Sequence, residues 1–309
     1  MTLNSFYKLK FLMLLSAVLF SCEDPISPKL EYADPVLVVD AWLNNKVEDQ
    51  KVKLTWSQPY LQNELPQGVS GAVVLLSYNE EVVAFEEDDS SPGTYLWKPA
   101  SEDDVAEVFG TIGRAYKLTI QVGEETFEAT SRIKRTVAID SITFKLEEDS
   151  PFYPENSYTA QFWAKDLPGP GDTYWIKGYK NGVFLNKPSE ITLAYDAGFA
   201  AGGNFDGTTF IPPLREVNPE DVDENDEALS PYLPGDSLYV EIHSISLESY
   251  NFLDEVIVQT DRPGGFAELF SSPLSNVSTN IVNTIPGGRK AIGFFNVSAV
   301  SGLGKKLVE

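Results

Sequence analysis

Few side chains in this sequence are of the kind that do chemistry, and each can be weighed singly. The chain has one cysteine, Cys22, and one histidine, His243. Cys22 ends the run Leu19-Phe20-Ser21-Cys22, behind a basic start (Lys8, Lys10) and an apolar stretch from Phe11 to Phe20. That stretch is shorter than the roughly 20 residues a bilayer span needs, so it is the core of a secretory signal whose end reads as a lipobox. Cleavage between Ser21 and Cys22 would leave the Cys22 thiol to carry a lipid, although Phe20 is bulkier than the residue usual there. In an exported protein a lone cysteine needs a partner, and lipidation meets that need without a disulfide. The plainer alternative is a chance cysteine behind an ordinary signal peptide.

His243 lies in a strand, near Glu241 and beside Ser244. With one histidine, and the cysteine committed to lipid, there is no pair for a zinc site. Nucleophile activation would fall to His243 alone, and a polar strand-face residue is the simpler reading. The sequence holds no P-loop, dinucleotide glycine fingerprint or nucleophile elbow. With 46 acidic residues no carboxylate pair for glycoside hydrolysis stands out. The expectation is a non-enzymatic protein without a cofactor.

Two binding chemistries fit better. Asp221-x-Asp223-x-Asn225 spaces oxygen ligands as a calcium loop does, with Glu224, Asp226 and Glu227 adding charge. Asp226 stands where such a loop wants glycine, however, and Tyr232 where a bidentate Glu should close it, so a solvated acidic loop competes with Ca2+ binding. Trp163 and Trp175, with Tyr174 and Tyr179, offer faces on which a sugar could stack; aromatic residues in strands are also ordinary core.

These residues must be held by strands. Residues 1–21 form the signal peptide and 22–35 a lipidated tether, proline-bearing at Asp24-Pro25 and Ser27-Pro28. Apolar residues make up 42% and aromatics 12% of the chain, with 14 Tyr and 18 Phe, which suits β structure. Without Lys8 and Lys10 the formal charge of −23 becomes −25, which excludes nucleic-acid binding for want of a basic footprint.

Val36 to Val39 reads as a buried strand, and Val52, Leu54 and Trp56 alternate with polar residues. A hairpin turns at Asn79-Glu80, and Tyr116, Leu118, Ile120 and Val122 alternate again. Together these predict an antiparallel sandwich over residues 36–146 without helices. Gly71 to Leu75, Gly93 to Tyr95 and Gly113 to Ile120 resemble prealbumin-like and carboxypeptidase-regulatory-like modules, which implies an immunoglobulin-like sandwich and no particular activity. Residues 147–309 predict a second β-rich domain, with an Asn181-Gly182 hairpin. Ser246 caps its one helix, near 246–260, on which Leu247, Tyr250, Leu253 and Ile257 share a face. Residues 196–236 hold little periodicity. So long an acidic connection is expected to be functional or mobile, and is where a ligand or partner surface is sought.

The lipobox, Pro35-Val36-Leu37-Val38-Val39-Asp40-Ala41-Trp42, Ser70-Gly71-Ala72-Val73, Asp140-Ser141-Ile142, residues 245–253 and Gly293-Phe294-Phe295-Asn296-Val297-Ser298-Ala299-Val300 together resemble the Bacteroidota lipoprotein family called domain of unknown function 4249. The resemblance implies an outer-membrane lipoprotein, often encoded beside a TonB-dependent receptor, with no established enzymatic activity. It carries over no catalytic or binding residue. The expected role is an accessory of such a transporter, capturing substrate (a small molecule, glycan or peptide) or capping the pore. A free-standing glycan- or matrix-binding adhesin is the alternative. Glu23-Asp24 resembles the acidic export signal that sends Bacteroidota lipoproteins to the cell surface. Ser141 and Ser237 match the Asp-Ser-apolar pattern of Bacteroidota O-glycosylation, or are ordinary strand starts with Asp-Ser turn chemistry.

Overall fold

The period-two pattern sets the first sheet. In β1 (Leu37–Asn44), Leu37, Val39, Ala41 and Leu43 are buried while Asp40 and Trp42 point the other way. The same alternation buries Val52 and Leu54 in β2 (Gln50–Trp56), and Val74 and Leu76 in β3 (Val73–Tyr78). After β4 (Glu81–Glu87) and β5 (Thr94–Trp97), the chain forms helix α1 (Glu102–Phe109), then β6 (Ala115–Val122) and β7 (Glu125–Arg132). The structure is a computed structural model that describes residues 34–308 apart from 60, 61, 63 and 149. Cys22, Glu23 and Asp24 lie outside the described residues.

Helix α1 corrects the helix-free expectation. Ser101 caps it, its Oγ accepting from Asp104 N at 3.3 Å, and Val105, Val108 and Phe109 turn inward. Its three apolar anchors all fall within the last five of eight residues, behind an acidic first turn, too few for the pattern to show in sequence.

The remaining strands are β8 (Ile139–Glu147), β9 (Ser157–Ala164), β10 (Thr173–Lys180), β11 (Val183–Phe184), β12 (Thr192–Tyr195) and β13 (Ser237–Ser244). Helix α2 (Leu247–Thr260) follows, then β14 (Val282–Asn283), β15 (Ala291–Ser298) and β16 (Val300–Lys306). Nine strands form one sheet in the order β14-β7-β6-β3-β4-β5-β2-β1-β15. It folds over at β4, which pairs with β3 along its length and with β5 only through Glu86 and Glu87. The two halves close where β15 comes back beside β7, Val297 N donating to Ser131 Oγ at 3.0 Å. The result is a β-sandwich around one core that includes Leu54, Leu76, Leu118, Phe127 and Phe295.

A second sheet, β11-β10-β13-β16 with β12 alongside β10, faces the β8–β9 hairpin across another core. Residues 196–236 form no strand or helix, as their lack of periodicity suggests, yet they contribute to that core. They run beside β9, with Val217 N donating to Ala160 O and Phe210 N to Ala164 O, and they bury Phe210, Leu214 and Tyr232. Helix α2 is where the sequence places it. Ser246 Oγ accepts from Ser249 N at 3.0 Å, and Leu253 is buried with Tyr250 and Ile257 partly covered. Leu247 differs from expectation in being 45% exposed, while Ser249, in the same turn, is fully buried. Hydrogen bonding does not divide at residue 146: β8 pairs with β9, and β15 returns to the first sheet as a parallel partner of β1.

Candidate functional site

The most chemically dense place in the molecule is a groove where the outward face of β1 meets the second sheet. Alternation on β10 sends Trp175, Lys177 and Tyr179 to one face, and on β13 it sends Tyr239, Glu241 and His243 to the same face. The antiparallel register sets these six in cross-strand pairs: Trp175 opposite His243, Lys177 opposite Glu241, Tyr179 opposite Tyr239. From the first sheet, Asp40, Trp42 and Asn44 project from β1, and Lys46 and Glu48 from the turn after it. They enclose about 720 Å³, within the range of small-ligand sites.

Aromatic rings form one end. Trp42 meets Trp175 edge-on with centroids 5.1 Å apart and stacks on Phe294 at 6.0 Å. Lys177 Nζ stands 3.8 Å from the centroid of the Trp175 ring. Tyr179 packs on Phe184 at 5.2 Å and on Tyr239 at 5.9 Å.

Charges form the other end, around Glu241, which is 1% exposed. Lys46 Nζ lies 2.5 Å from Glu241 Oε1 and 2.9 Å from Glu48 Oε2. Oε2 of Glu241 meets His243 Nε2 at 2.9 Å and accepts from Tyr179 OH at 3.1 Å. Although burial opposes it, this set of partners holds the Glu241 carboxyl down at about 2. Burial pushes His243 down to about 4, against its bond to Glu241, so the imidazole is neutral at pH 7. Burial likewise lowers Lys177 to about 8, as its nearest carboxylates, Glu241 and Asp40, act through space without a direct ion pair. Lys46 is raised by Glu241 and Glu48. The arrangement offers a desolvated ammonium and several fixed polar groups beside aromatic faces. Neither serine, threonine nor cysteine is among the residues lining it.

The site residues expected from sequence are scattered. Trp175 is in the groove, but Trp163 is on β9, away from it, its Nε1 donating to Thr143 Oγ1 at 2.9 Å and its ring covered by Arg215 at 4.0 Å. His243 is more than a strand-face polar residue, being buried against Glu241. Asp221 pairs with Lys187 Nζ at 2.7 Å. Asp223 Oδ1 accepts from the backbone of Asn225 and Glu227 at 2.8 and 3.0 Å, so the Asp221, Asp223, Asn225 set serves its own turn and a lysine. Ser141 is exposed on β8, and Ser237 opens β13 with its hydroxyl 3.3 Å from Asn181 Oδ1.

Among the described residues, the carboxylates that converge closely enough to hold a cation are Asp166, Asp196 and Asp206, with ligand atoms within 4.8 Å of one another. Each already has a structural task. Asp166 accepts from Tyr174 OH at 2.7 Å and Gly207 N at 3.1 Å, Asp196 from the Gly171 and Asp172 amides, and Asp206 from Gly169 N. Trp42, Lys46, Lys177, Tyr239 and Glu241 are among the groove residues that the sequence did not single out as a site. The available signal was chemistry on the outward register of predicted strands: Asp40, Trp42, Asn44 and Trp175, Lys177, Tyr179.

The fold and groove define a mainly β protein with a ligand-sized cleft between its two sheets. No described helix is long and apolar enough to cross a membrane. The chain belongs to the family described as domain of unknown function (DUF4249), whose model matches residues 23–302. No curated protein matches it.

Proposed function

We propose that this protein is a non-enzymatic Bacteroidota lipoprotein, anchored to the outer membrane through lipid on Cys22 and facing the cell surface, that captures cargo for a TonB-dependent transporter. The groove between β1 and the β10–β13 pair carries this reading. It is a preformed cleft in which aromatic faces and fixed charges converge, as a binding site requires. The lipobox ending at Cys22 supports the anchor, and the family match supports the kind of protein. Capture favours this cleft over the exposed faces of the sandwich because its charged groups are already oriented and partly stripped of water, which lowers the cost of ordering them around a ligand.

Extraction in mild detergent at native expression is the test. The protein should co-purify with a TonB-dependent receptor, and emergence alone counts against the transporter role. The aromatic lining also favours a second reading, a free-standing glycan-binding adhesin. That reading expects glycan-array binding that is lost in Trp175→Ala without any receptor in the preparation.

A further inference from the structure

A second cavity, of about 540 Å³, lies beside β10, between helix α2 and the segment of residues 211–220. Its floor is apolar, formed by Ile176, Gly178 and Leu193. Gly178 makes the floor possible, because a Cβ there would come within 2.4 Å of Val217 Cγ1 and 3.2 Å of Leu185 Cδ1. Three aromatic side chains line it: Tyr153, Phe199 and Tyr250. Phe199 is 48% exposed, a cost in water that a ligand in the cavity would relieve.

Carboxylates dominate the charge of its lining, and one ammonium, Lys187 Nζ, stands at the mouth, 3.8 Å from Glu190 Oε1 and 2.6 Å from Glu220 O. Glu216 and Glu220 line it from the segment and Asp254 from the helix, while none of the described lining residues is basic. Among the described residues, the Glu220 and Asp254 side chains have no hydrogen-bond partner. Glu190, the fourth carboxylate, is already used by the Lys187 and Glu220 amides, at 2.9 and 3.1 Å. Those bonds fix the mouth, and Tyr250 OH, donating to Phe199 O at 2.6 Å, ties the helix to the turn at residue 199. The walls are therefore held in place before any ligand arrives. The nearby acids also raise both tyrosines, Tyr153 through Glu220 and Glu216 and Tyr250 through Asp254, in each case after burial as the larger cause.

We infer that this cavity is a second binding site, which takes a small amphiphilic cation: an amine or guanidinium head among Glu216, Glu220 and Asp254, with an apolar or aromatic body over Ile176 and Leu193. Aromatic walls attract a cation through their ring faces, and the three exposed carboxylates add a pull that salt screens. An anion of the same shape would meet three like charges. The cavity shares no lining residue with the groove between β1 and the β10–β13 pair, although Leu193 and Tyr250 belong to the same apolar cluster as Trp42 and Trp175.

The test uses the full chain in mild detergent, titrated calorimetrically with tryptamine and, as its near-isostere of opposite charge, indole-3-propionate. Tryptamine should bind saturably at one site, about tenfold or more tighter than the anion, and should weaken as salt rises. In the combined variant Glu216→Gln, Glu220→Gln and Asp254→Asn, tryptamine affinity should fall by about tenfold or more. The three residues are exposed, so the variant should keep the parent's thermal midpoint, and Asp254→Asn alone serves if it does not. Equal affinity for the two probes, no saturable tryptamine binding, or undiminished binding to a folded variant would each overturn the inference.

Discussion

His243 and Glu241 sit side by side in the groove because two residues on one strand face, in a period-two pattern, must share that face. The pairing has a consequence in pH. Folded His243 titrates at about 4 against 6.5 when unfolded, so between those values the unfolded chain takes up a proton that the folded chain refuses. Its contribution is complete above pH 6.5 and is lost as pH falls toward 4, before the Glu241 contribution is lost between 4.5 and about 2. Stability by urea unfolding should drop by about 2 kcal/mol between pH 7 and pH 5 on account of His243. In His243→Gln, which cannot titrate, the difference between the two pH values should shrink by that amount, and an unchanged difference would mean the imidazole is not depressed. Sequence singled out the histidine by its scarcity but could not see its partners. Lys46 comes from a turn, and Lys177 from another strand whose register with β13 is set by backbone bonds that no residue type announces.

At the level of elements, the strands were legible wherever one face meets water, because alternation survives there. Asn181-Gly182, predicted as a hairpin, turns between β10 and β11 with φ of 51° and 81°. Residues 196–236 were not legible, since they lie beside β9 through isolated bridges and side-chain bonds such as Asn218 Oδ1 accepting from Ala160 N, without a run of alternating residues. The β1–β15 pair was hidden for another reason: parallel partners are distant in sequence, and no short turn joins them to announce the pairing. Its closeness rests on Gly293, which has φ 94° and whose added Cβ would fall 1.9 Å from Val39 O. Gly123 provides a control, with φ 60° in a hairpin turn and nothing within 4 Å. Gly123→Ala should cost about 1–2 kcal/mol for its backbone conformation alone. Gly293→Ala should cost about 3 kcal/mol or more, since backbone must also move, and equal losses in thermal or urea unfolding would count against a tight contact between these strands.

In the whole molecule, the chain's end is what joins the two cores. β15 completes the first sheet and β16, one residue later, completes the second, with only Ala299 between them. Ala299 is itself fixed: its N–H donates to Ser244 Oγ at 2.9 Å and its carbonyl accepts from Ser244 N at 2.9 Å. Residues 35–309 accordingly form one compact unit, and the groove between the sheets keeps its shape because neither sheet is complete without this segment. A fragment ending at residue 146 would lack β15, leaving β1 with an open edge and the core without Phe295, Val297 and Ile281. Each such side chain is worth about 1.5–3 kcal/mol of burial, so the sum rivals the roughly 5–15 kcal/mol by which a whole domain is stable. Calorimetry of the full chain should show a single transition in which both cores melt together, and residues 35–146 alone should show no cooperative transition. A stable, monomeric 35–146 fragment with its own sharp melt would mean that the sandwich closes without β15, and that the groove joins two independent bodies.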